Sequence, residues 1–82
     1  METHSTSSVL DRVREIIAAE MNVRIEDVKP ESRLSSFVAD SLELLGLLVE
    51  FETQFDVNIE RDDYPNILTV ADAARFIEEH KR

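Results

Sequence analysis

The stretch that decides the fold is DSLELLGLLVEFETQF, residues 40–55. Asp40 is a residue type that favours helix N-caps, and Glu43 stands three positions later, where the acid of a capping box belongs. Leucines dominate the positions that follow, and no proline interrupts them. We therefore expect a helix that starts at Asp40 and runs to about Phe55.

Apolar residues occupy two sides of this helix. With a step of about 100° per residue, one face gathers the side chains that we expect in the core: Leu44, Leu47, Leu48, Phe51 and Phe55. The opposite side carries Leu42, Leu45 and Val49, which we call the outer stripe; Gly46 and Thr53 lie near it. A small domain cannot readily bury both sides of one helix, so we expect the outer stripe to meet solvent and to bind a partner. Its charged rim would be Glu43, Glu50 and Glu52.

Two points about this helix stay open. A loop or a short helix downstream could cover the outer stripe instead. Gly46 costs a helix interior about 1 kcal/mol relative to alanine, and it signals either close approach by another group or simple tolerance.

Two further helices flank the first. Ser8 and Asp11 form an N-terminal capping pattern before an amphipathic run that ends at Met21 and Asn22. Thr69-Val70-Ala71-Asp72 caps a final helix with one apolar face, made of Val70, Ala73, Ala74 and Ile77. Cations at its end, where the helix dipole favours them, are His80, Lys81 and Arg82. Asp56 to Asp63 is a polar loop by composition, and Asp62 to Asn66 suits one short helical turn that Pro65 limits.

A long connection, residues 23–40, leads into the central helix and contains Pro30. We expect its scattered apolar residues to hold it on the core: Val23, Ile25, Val28, Leu34 and Phe37. Connections of this length in small domains are often functional. The sequence thus predicts an all-α, four-helix domain over residues 8–82, with three main helices and one short one, behind a flexible tail at residues 1–7.

Composition narrows the function. The 82 residues carry a formal net charge of −9, which repels nucleic acid and anionic membranes and attracts basic patches on proteins. Cysteine is absent, so disulfides, thiolate catalysis and cysteine zinc sites are excluded. We find no secretion signal and no stretch of about 20 apolar residues, and we expect a monomeric cytoplasmic protein.

Ser41 occupies the first position of the central helix. The helix amino end carries free N–H groups and partial positive charge, so an anion attached to this serine would be stabilised. Asp-Ser-Leu alone is a weak motif, since a serine there also serves as an ordinary helix-start residue.

A wider pattern surrounds this serine. VRIEDVKPESRL (residues 23–34) resembles the first loop of acyl carrier proteins, and FVADSLE (residues 37–43) resembles their phosphopantetheine attachment motif. The leucine-rich helix, the segment Asp56-Val57-Asn58-Ile59, the acidic turn and the Thr69 cap follow in the order of that family. The resemblance covers about residues 8–80 and includes its four-helix fold.

The resemblance implies a carrier rather than an enzyme. Ser41 would be esterified by the 4'-phosphopantetheine of coenzyme A through a separate magnesium-dependent phosphopantetheinyl transferase. The arm would supply the thiol that this chain lacks, and would hold acyl groups as thioesters for an acyl- or aminoacyl-loading enzyme and for downstream synthases or tailoring enzymes. The implied docking residues are Asp40, Leu42, Glu43, Leu45, Gly46, Val49 and Glu50.

Two departures from the family pattern bear on the pathway. Carriers of fatty-acid synthesis typically have glycine where Val38 stands, and a partner-recognising glutamate where Gly46 stands. We therefore favour polyketide or mixed polyketide–peptide biosynthesis, with fatty-acid synthesis and aminoacyl carriage as alternatives.

Three other functions are compared with the sequence: catalysis, calcium binding and an unmodified interaction domain. Catalysis lacks support because His4 and His80 have no nucleophile or orienting acid beside them in the sequence, and Asp40 is occupied as a cap. A calcium loop starting at Asp56 has Arg61 at its sixth position, where glycine is needed, and Ile67 at its twelfth, where glutamate is needed. No metal site is expected. An unmodified acidic interaction domain stays an alternative.

Overall fold

The computed structural model describes residues 8–80, which form an all-α bundle. Its main helices are α1 (Val9–Met21), α2 (Ser41–Phe55) and α3 (Val70–His80). Three 3₁₀ turns accompany them: Ile25–Asp27 and Leu34–Phe37 in the long connection, and Arg61–Asn66 between α2 and α3. This last turn is the predicted short helix. The predicted fold class is confirmed, whereas the tail at residues 1–7 and the cations Lys81 and Arg82 lie outside the described residues.

Side-chain caps set where the helices begin and end. The Ser8 hydroxyl accepts a hydrogen bond from the Asp11 N–H at 3.1 Å. Thr69 and Asp72 cap α3 reciprocally, since each side chain accepts the other's N–H, at 3.0 and 3.1 Å. α1 ends where Asn22 enters the left-handed region at φ 57°, a conformation that asparagine tolerates better than most residues. The predicted N-terminal caps of α1 and α3 are confirmed.

The core lies where one face of each main helix meets the others. Val13, Ile17, Phe51, Val70 and Ile77 are completely buried. α1 packs most extensively against α3 and less against α2, so α2 is the outer helix of the bundle. Because apolar burial is the dominant stabilising term in folding, these three faces hold the domain together.

The long connection is attached to the core at two points, Val28 and Leu34, both of which are buried. Its backbone also bonds to the segment before α3, because the Leu34 N–H donates to Leu68 O and the Val70 N–H donates to Ser32 O, each at 2.9 Å. Val23 and Phe37 are partly buried against the core. Ile25 was also expected on the core, but it is 37% exposed. It starts a 3₁₀ turn that is attached to α1 by the Ile25 carbonyl, which accepts a hydrogen bond from Arg14 at 3.0 Å.

Residues 56–63 are more than a polar loop. Val57 and Ile59 are buried, at positions that alternate with polar residues, so they close the core beneath the loop. The N–H of Ile59 donates to Glu52 Oε2 at 2.7 Å, which fastens this segment to the last turn of α2. Among residues 8–80, no helix is long and apolar enough to cross a membrane.

Candidate functional site

Ser41 is the first residue of α2, and it is exposed to solvent. The approach to it is extended, with Val38 at φ −122° and Asp40 at φ −156°. Val38 therefore needs no glycine conformation, and its half-buried side chain packs against the core. The fold presents the Ser41 hydroxyl at the surface, at the positive end of a 15-residue helix.

Asp40 caps α2 as predicted, because its Oδ1 accepts the Glu43 N–H at 2.9 Å. In a capping box the Glu43 side chain would accept the N–H of the cap residue, Asp40, and here it does not. Glu43 Oε1 accepts from the N–H of Ala39, at 2.8 Å, rather than from that of Asp40. Since the chain before the cap is extended, the Glu43 side chain reaches one residue further back. The two acids together fix the backbone on both sides of Ser41.

Two backbone donors at this helix end are left for an anion. The Glu43 and Leu44 N–H groups are bound by the side chain and carbonyl of Asp40. The N–H groups of Ser41 and Leu42 make no hydrogen bond with any residue between 8 and 80. A helix start with free N–H groups is a favourable place for a phosphate ester. The residues present thus fit a phosphate attached to the Ser41 hydroxyl.

Ser41 stands between two grooves. The larger, of about 400 Å³, is mostly apolar and is lined by Leu44, Leu45, Leu48, Arg61, Tyr64 and Ile67 besides Ser41 itself. We call it the α2 groove. The smaller, of about 290 Å³, lies on the side of the long connection and includes Ser35, Val38 and Ala39. A chain attached at Ser41 therefore has an apolar surface on either side of it.

The predicted outer stripe is exposed. Leu42, Val49 and Leu45 are 76%, 55% and 38% exposed, respectively. On the opposite face, Leu47, Leu48 and Phe51 are buried as expected. Leu44, also expected in the core, is only partly buried because it borders both grooves. No loop covers the outer stripe within the described residues, so the alternative of a covered stripe is wrong.

Gly46 faces open space on the same side. A Cβ built on it would have no atom within 4 Å among the described residues. Nothing in the fold of this chain requires glycine at that position.

The three rim glutamates differ in what they do. Glu50 is half-buried and accepts a hydrogen bond from Gln54 at 2.8 Å, one turn further along α2. Glu43 is exposed but is bound to the Ala39 N–H. Glu52 does not belong to the rim, because its carboxylate is directed to the Ile59 N–H. The expectation for Glu52 is thus corrected.

Phe55, expected in the core, is only partly buried, and the guanidinium of Arg12 lies 4.6 Å from the centre of its ring. A cation over an aromatic face is a favourable contact. The end of α2 therefore packs against the core and also contacts a charged side chain of α1.

Sequence analysis missed the far wall of the α2 groove. Arg61, Tyr64 and Ile67 are spaced three apart, and side chains three apart share one side of a 3₁₀ turn. That spacing was visible in the sequence. It indicates a shared side only once the predicted short helix is known to be 3₁₀, with three residues per turn, rather than α-helical.

The acids and histidine at the other end of the domain form no recognised site. His80 stacks on Phe76 with ring centres 3.9 Å apart, and its Nδ1 lies 2.8 Å from Phe76 O. It borders a wide acidic cleft with Asp56, Asp62 and Asp63. Across the part of the chain that the structure describes, no three acidic, histidine or cysteine side chains are placed to hold a metal ion.

Comparison with known proteins agrees with this geometry. A family model described as a phosphopantetheine attachment site matches residues 11–77, which include Ser41 and both grooves. The acyl carrier protein of Brachyspira hyodysenteriae is 37% identical over 79 residues, which cover 92% of this chain and 99% of the relative. The chain belongs to the acyl carrier protein family. The acyl carrier protein of Wolinella succinogenes is 33% identical over 75 residues, covering 90% of this chain and 99% of that protein.

Family membership identifies the cofactor. Members carry phosphopantetheine, and this acyl carrier protein has the exposed serine, the free helix-start N–H groups and the adjoining apolar grooves that such a group needs. When attached, the group supplies a thiol, which a chain without cysteine does not have.

Proposed function

We propose that Ser41 is the attachment residue and that this chain is a non-catalytic carrier of acyl thioesters. One observation carries the proposal: Ser41 is exposed at the start of α2, beside two N–H groups that no residue between 8 and 80 occupies. The Ser41 oxygen would attack the phosphorus that bears the pantetheine arm, and the pyrophosphate bond of coenzyme A would break. Adenosine 3',5'-bisphosphate would leave, and the serine proton would pass to solvent. The Ser41 and Leu42 N–H groups would then donate to the phosphodiester oxygens.

The proposed docking surface follows from the charge and exposure around Ser41. The outer stripe offers apolar area, while Asp40, Glu43 and Glu50 lie beside it on an acidic protein. Partners with basic, partly apolar faces would be steered to this surface quickly and released readily, and the encounter would weaken with salt. The partners that we propose are a phosphopantetheinyl transferase, a loading enzyme, and downstream synthases or tailoring enzymes.

We favour a specialised pathway, of polyketide or mixed polyketide–peptide type, over fatty-acid synthesis. Gly46 is an exposed position on the docking side where this chain has no carboxylate. Enzymes that require a carboxylate there would bind this carrier less well. The alternatives are a carrier of fatty-acid synthesis and an aminoacyl carrier. A monomeric state and a cytoplasmic location stay predictions of the sequence.

Intact-mass measurement tests the attachment residue. The purified protein is incubated with coenzyme A, magnesium and a broad-specificity phosphopantetheinyl transferase, and we expect the mass to rise by one phosphopantetheine. Ser41→Ala should stay unmodified, whereas Ser35→Ala, at a neighbouring exposed serine that also borders a groove, should be modified like the wild type. Circular dichroism would show that both variants are folded.

An unmodified interaction domain is the other function class that the test addresses. Its acidic surface and exposed apolar stripe are the same features, so only the modification separates the two. A folded wild-type protein that never gains the arm would support this alternative and exclude the carrier proposal. An arm that persists in Ser41→Ala would show instead that another residue is the attachment site.

A further inference from the structure

The 3₁₀ turn Arg61–Asn66 sorts its side chains by charge. Residues three apart share a side of such a turn. Arg61 and Tyr64 lie on the side that lines the α2 groove, followed by Ile67. Glu60, Asp62 and Asp63 line the acidic cleft on the other side. The one cation of this segment therefore faces the groove next to Ser41, and the acids face away from it.

Of the three acids nearest to Arg61 in sequence, Asp62 borders the acidic cleft, and the other two are hydrogen-bonded elsewhere. Asp63 Oδ2 accepts the Glu60 N–H at 3.0 Å, and Glu60 Oε2 accepts from Asn58 at 3.0 Å. Within residues 8–80, Arg61 makes no ion pair and its side chain donates no hydrogen bond. In a protein with twice as many acids as bases, a cation at the rim of an apolar groove that pairs with none of the described residues can bind a ligand.

The groove combines two chemistries along its length. Its α2 wall is made of the aliphatic side chains Leu44, Leu45 and Leu48 beside Ser41, and its wall from the 3₁₀ turn includes Arg61 and Tyr64. Guanidinium groups bind carboxylates by charge-assisted hydrogen bonds, often two at once, and a phenol adds a third donor. A plain alkyl chain would use the first part of the groove and leave the second unused.

We propose that Arg61 and Tyr64 make the α2 groove selective for acyl groups that end in a carboxylate. The inference rests on Ser41 being the attachment residue, and it adds the cargo class. The aliphatic carbons next to the thioester would lie on the three leucines, and the terminal carboxylate would accept hydrogen bonds from Arg61 and Tyr64. Such cargo would be held near the protein, while an alkyl chain of equal length would gain no polar contact.

The test compares two cargoes of matched length. The transferase loads the protein from coenzyme A thioesters of either hexanoic acid or the six-carbon dicarboxylic acid, and intact mass confirms loading. Amide chemical shifts of Leu48, Tyr64 and Ile67 then report occupancy of the groove, and the rate of thioester cleavage by hydroxylamine reports exposure of the cargo. Neither readout depends on a partner enzyme.

In the wild type, we expect the carboxylate-ended cargo to shift these amides more than hexanoyl does. Its thioester should be cleaved about threefold more slowly in the wild type than in Arg61→Gln, which is the size of effect that a partly exposed charge pair gives. Arg61→Glu should remove the protection completely, and Tyr64→Phe should lower it in part. Arg24→Gln has the same change of charge in the first loop, where Arg24 pairs with Glu26, and should behave as wild type.

The attachment proposal and the cargo inference would be contradicted by different results. If the wild type takes up no arm, the attachment proposal fails and the cargo inference falls with it. If the arm is loaded but both cargoes give the same shifts and cleavage rates, or Arg61→Gln leaves their difference unchanged, the cargo inference is wrong and the carrier proposal stands.

Discussion

The Asp40 carboxylate accepts the N–H of Glu43 at 2.9 Å, and this bond spans the residue to which we assign the arm. It gives α2 its starting point and holds the Ser41 backbone in place. The Glu43 carboxylate returns a bond to Ala39 on the other side of the cap. The position of Ser41 is thus determined by the two acids next to it.

Replacing Asp40 tests the cap. Asp40→Ala should lower the free energy of unfolding by about 1 kcal/mol, because the Glu43 N–H loses its acceptor. Asp40→Asn keeps an acceptor oxygen and loses the charge, so it should retain most of the stability. Urea denaturation followed by circular dichroism measures both. Equal stability of Asp40→Ala and wild type would contradict a capping role.

The outer stripe should matter for partners and not for folding. Val49→Ser removes apolar area that is 55% exposed, so we expect the free energy of unfolding to change by no more than about 0.5 kcal/mol. If the transferase buries Val49, the kcat/KM of the transferase for this variant should fall by up to about tenfold. That factor corresponds to the binding free energy lost when two apolar carbons are no longer buried.

Two controls accompany Val49→Ser. Ile25→Ser alters another exposed apolar residue, in the first loop, and should leave the modification rate unchanged. Phe51→Ala removes a completely buried ring on the opposite face of α2 and should lower the free energy of unfolding by about 3–5 kcal/mol. An outer-stripe variant that unfolds like Phe51→Ala would show that the stripe belongs to the core.

Gly46→Ala should stabilise the protein. A methyl group at Gly46 meets no atom within 4 Å, and alanine favours a helix interior over glycine by about 1 kcal/mol. Thermal and urea unfolding should both show the gain. A variant that is more stable yet modified or loaded more slowly would indicate that a partner, not the fold, needs the glycine.

Asp72 should make stability depend on pH in acid. The side-chain hydrogen bond from Arg75 is the largest cause that lowers the pKa of Asp72 from 3.8 to about 2, and the Thr69 and Leu68 N–H groups lower it further, while partial burial opposes them. Since the folded state favours the carboxylate, its contribution is complete above the unfolded pKa and is lost as the pH falls from about 4 to about 2.

Measuring unfolding of Asp72→Asn against pH checks this. The variant should be less stable by about 1 kcal/mol near neutral pH, a value reduced for the partial exposure of the Arg75 pair, and should lose less stability than wild type between pH 4 and 2. Glu15→Gln, on the exposed side of α1, serves as the control. If the acid slope of Asp72→Asn matches that of wild type, Asp72 does not set it.

Sequence reasoning located the helices because their determinants are local. Ser8, Asp40 and Thr69 are capping residues whose partners lie three positions away, and the leucine pattern of α2 separates its two faces without knowledge of the rest of the chain. The exposure of the outer stripe could be inferred from the small size of the domain alone.

What escaped prediction depends on contacts distant in sequence or on the type of helix. The burial of Val57 and Ile59 and the bond from Ile59 to Glu52 arise from the way the chain folds back under α2. The position of Ile25 depends on how the connection crosses Arg14. The groove wall of Arg61 and Tyr64 needs a three-residue period, whereas a helix of 3.6 residues per turn would bring different side chains to the groove.

That three-residue period has an evolutionary consequence. A deletion of the single residue before Arg61 would rotate the whole segment by about a third of a turn. An acid would then take the place of the guanidinium beside the groove, while the main helices and Ser41 stayed where they are. One deletion in this short segment would thus reverse the charge of the groove wall, a simpler route to a new specificity than rebuilding the bundle.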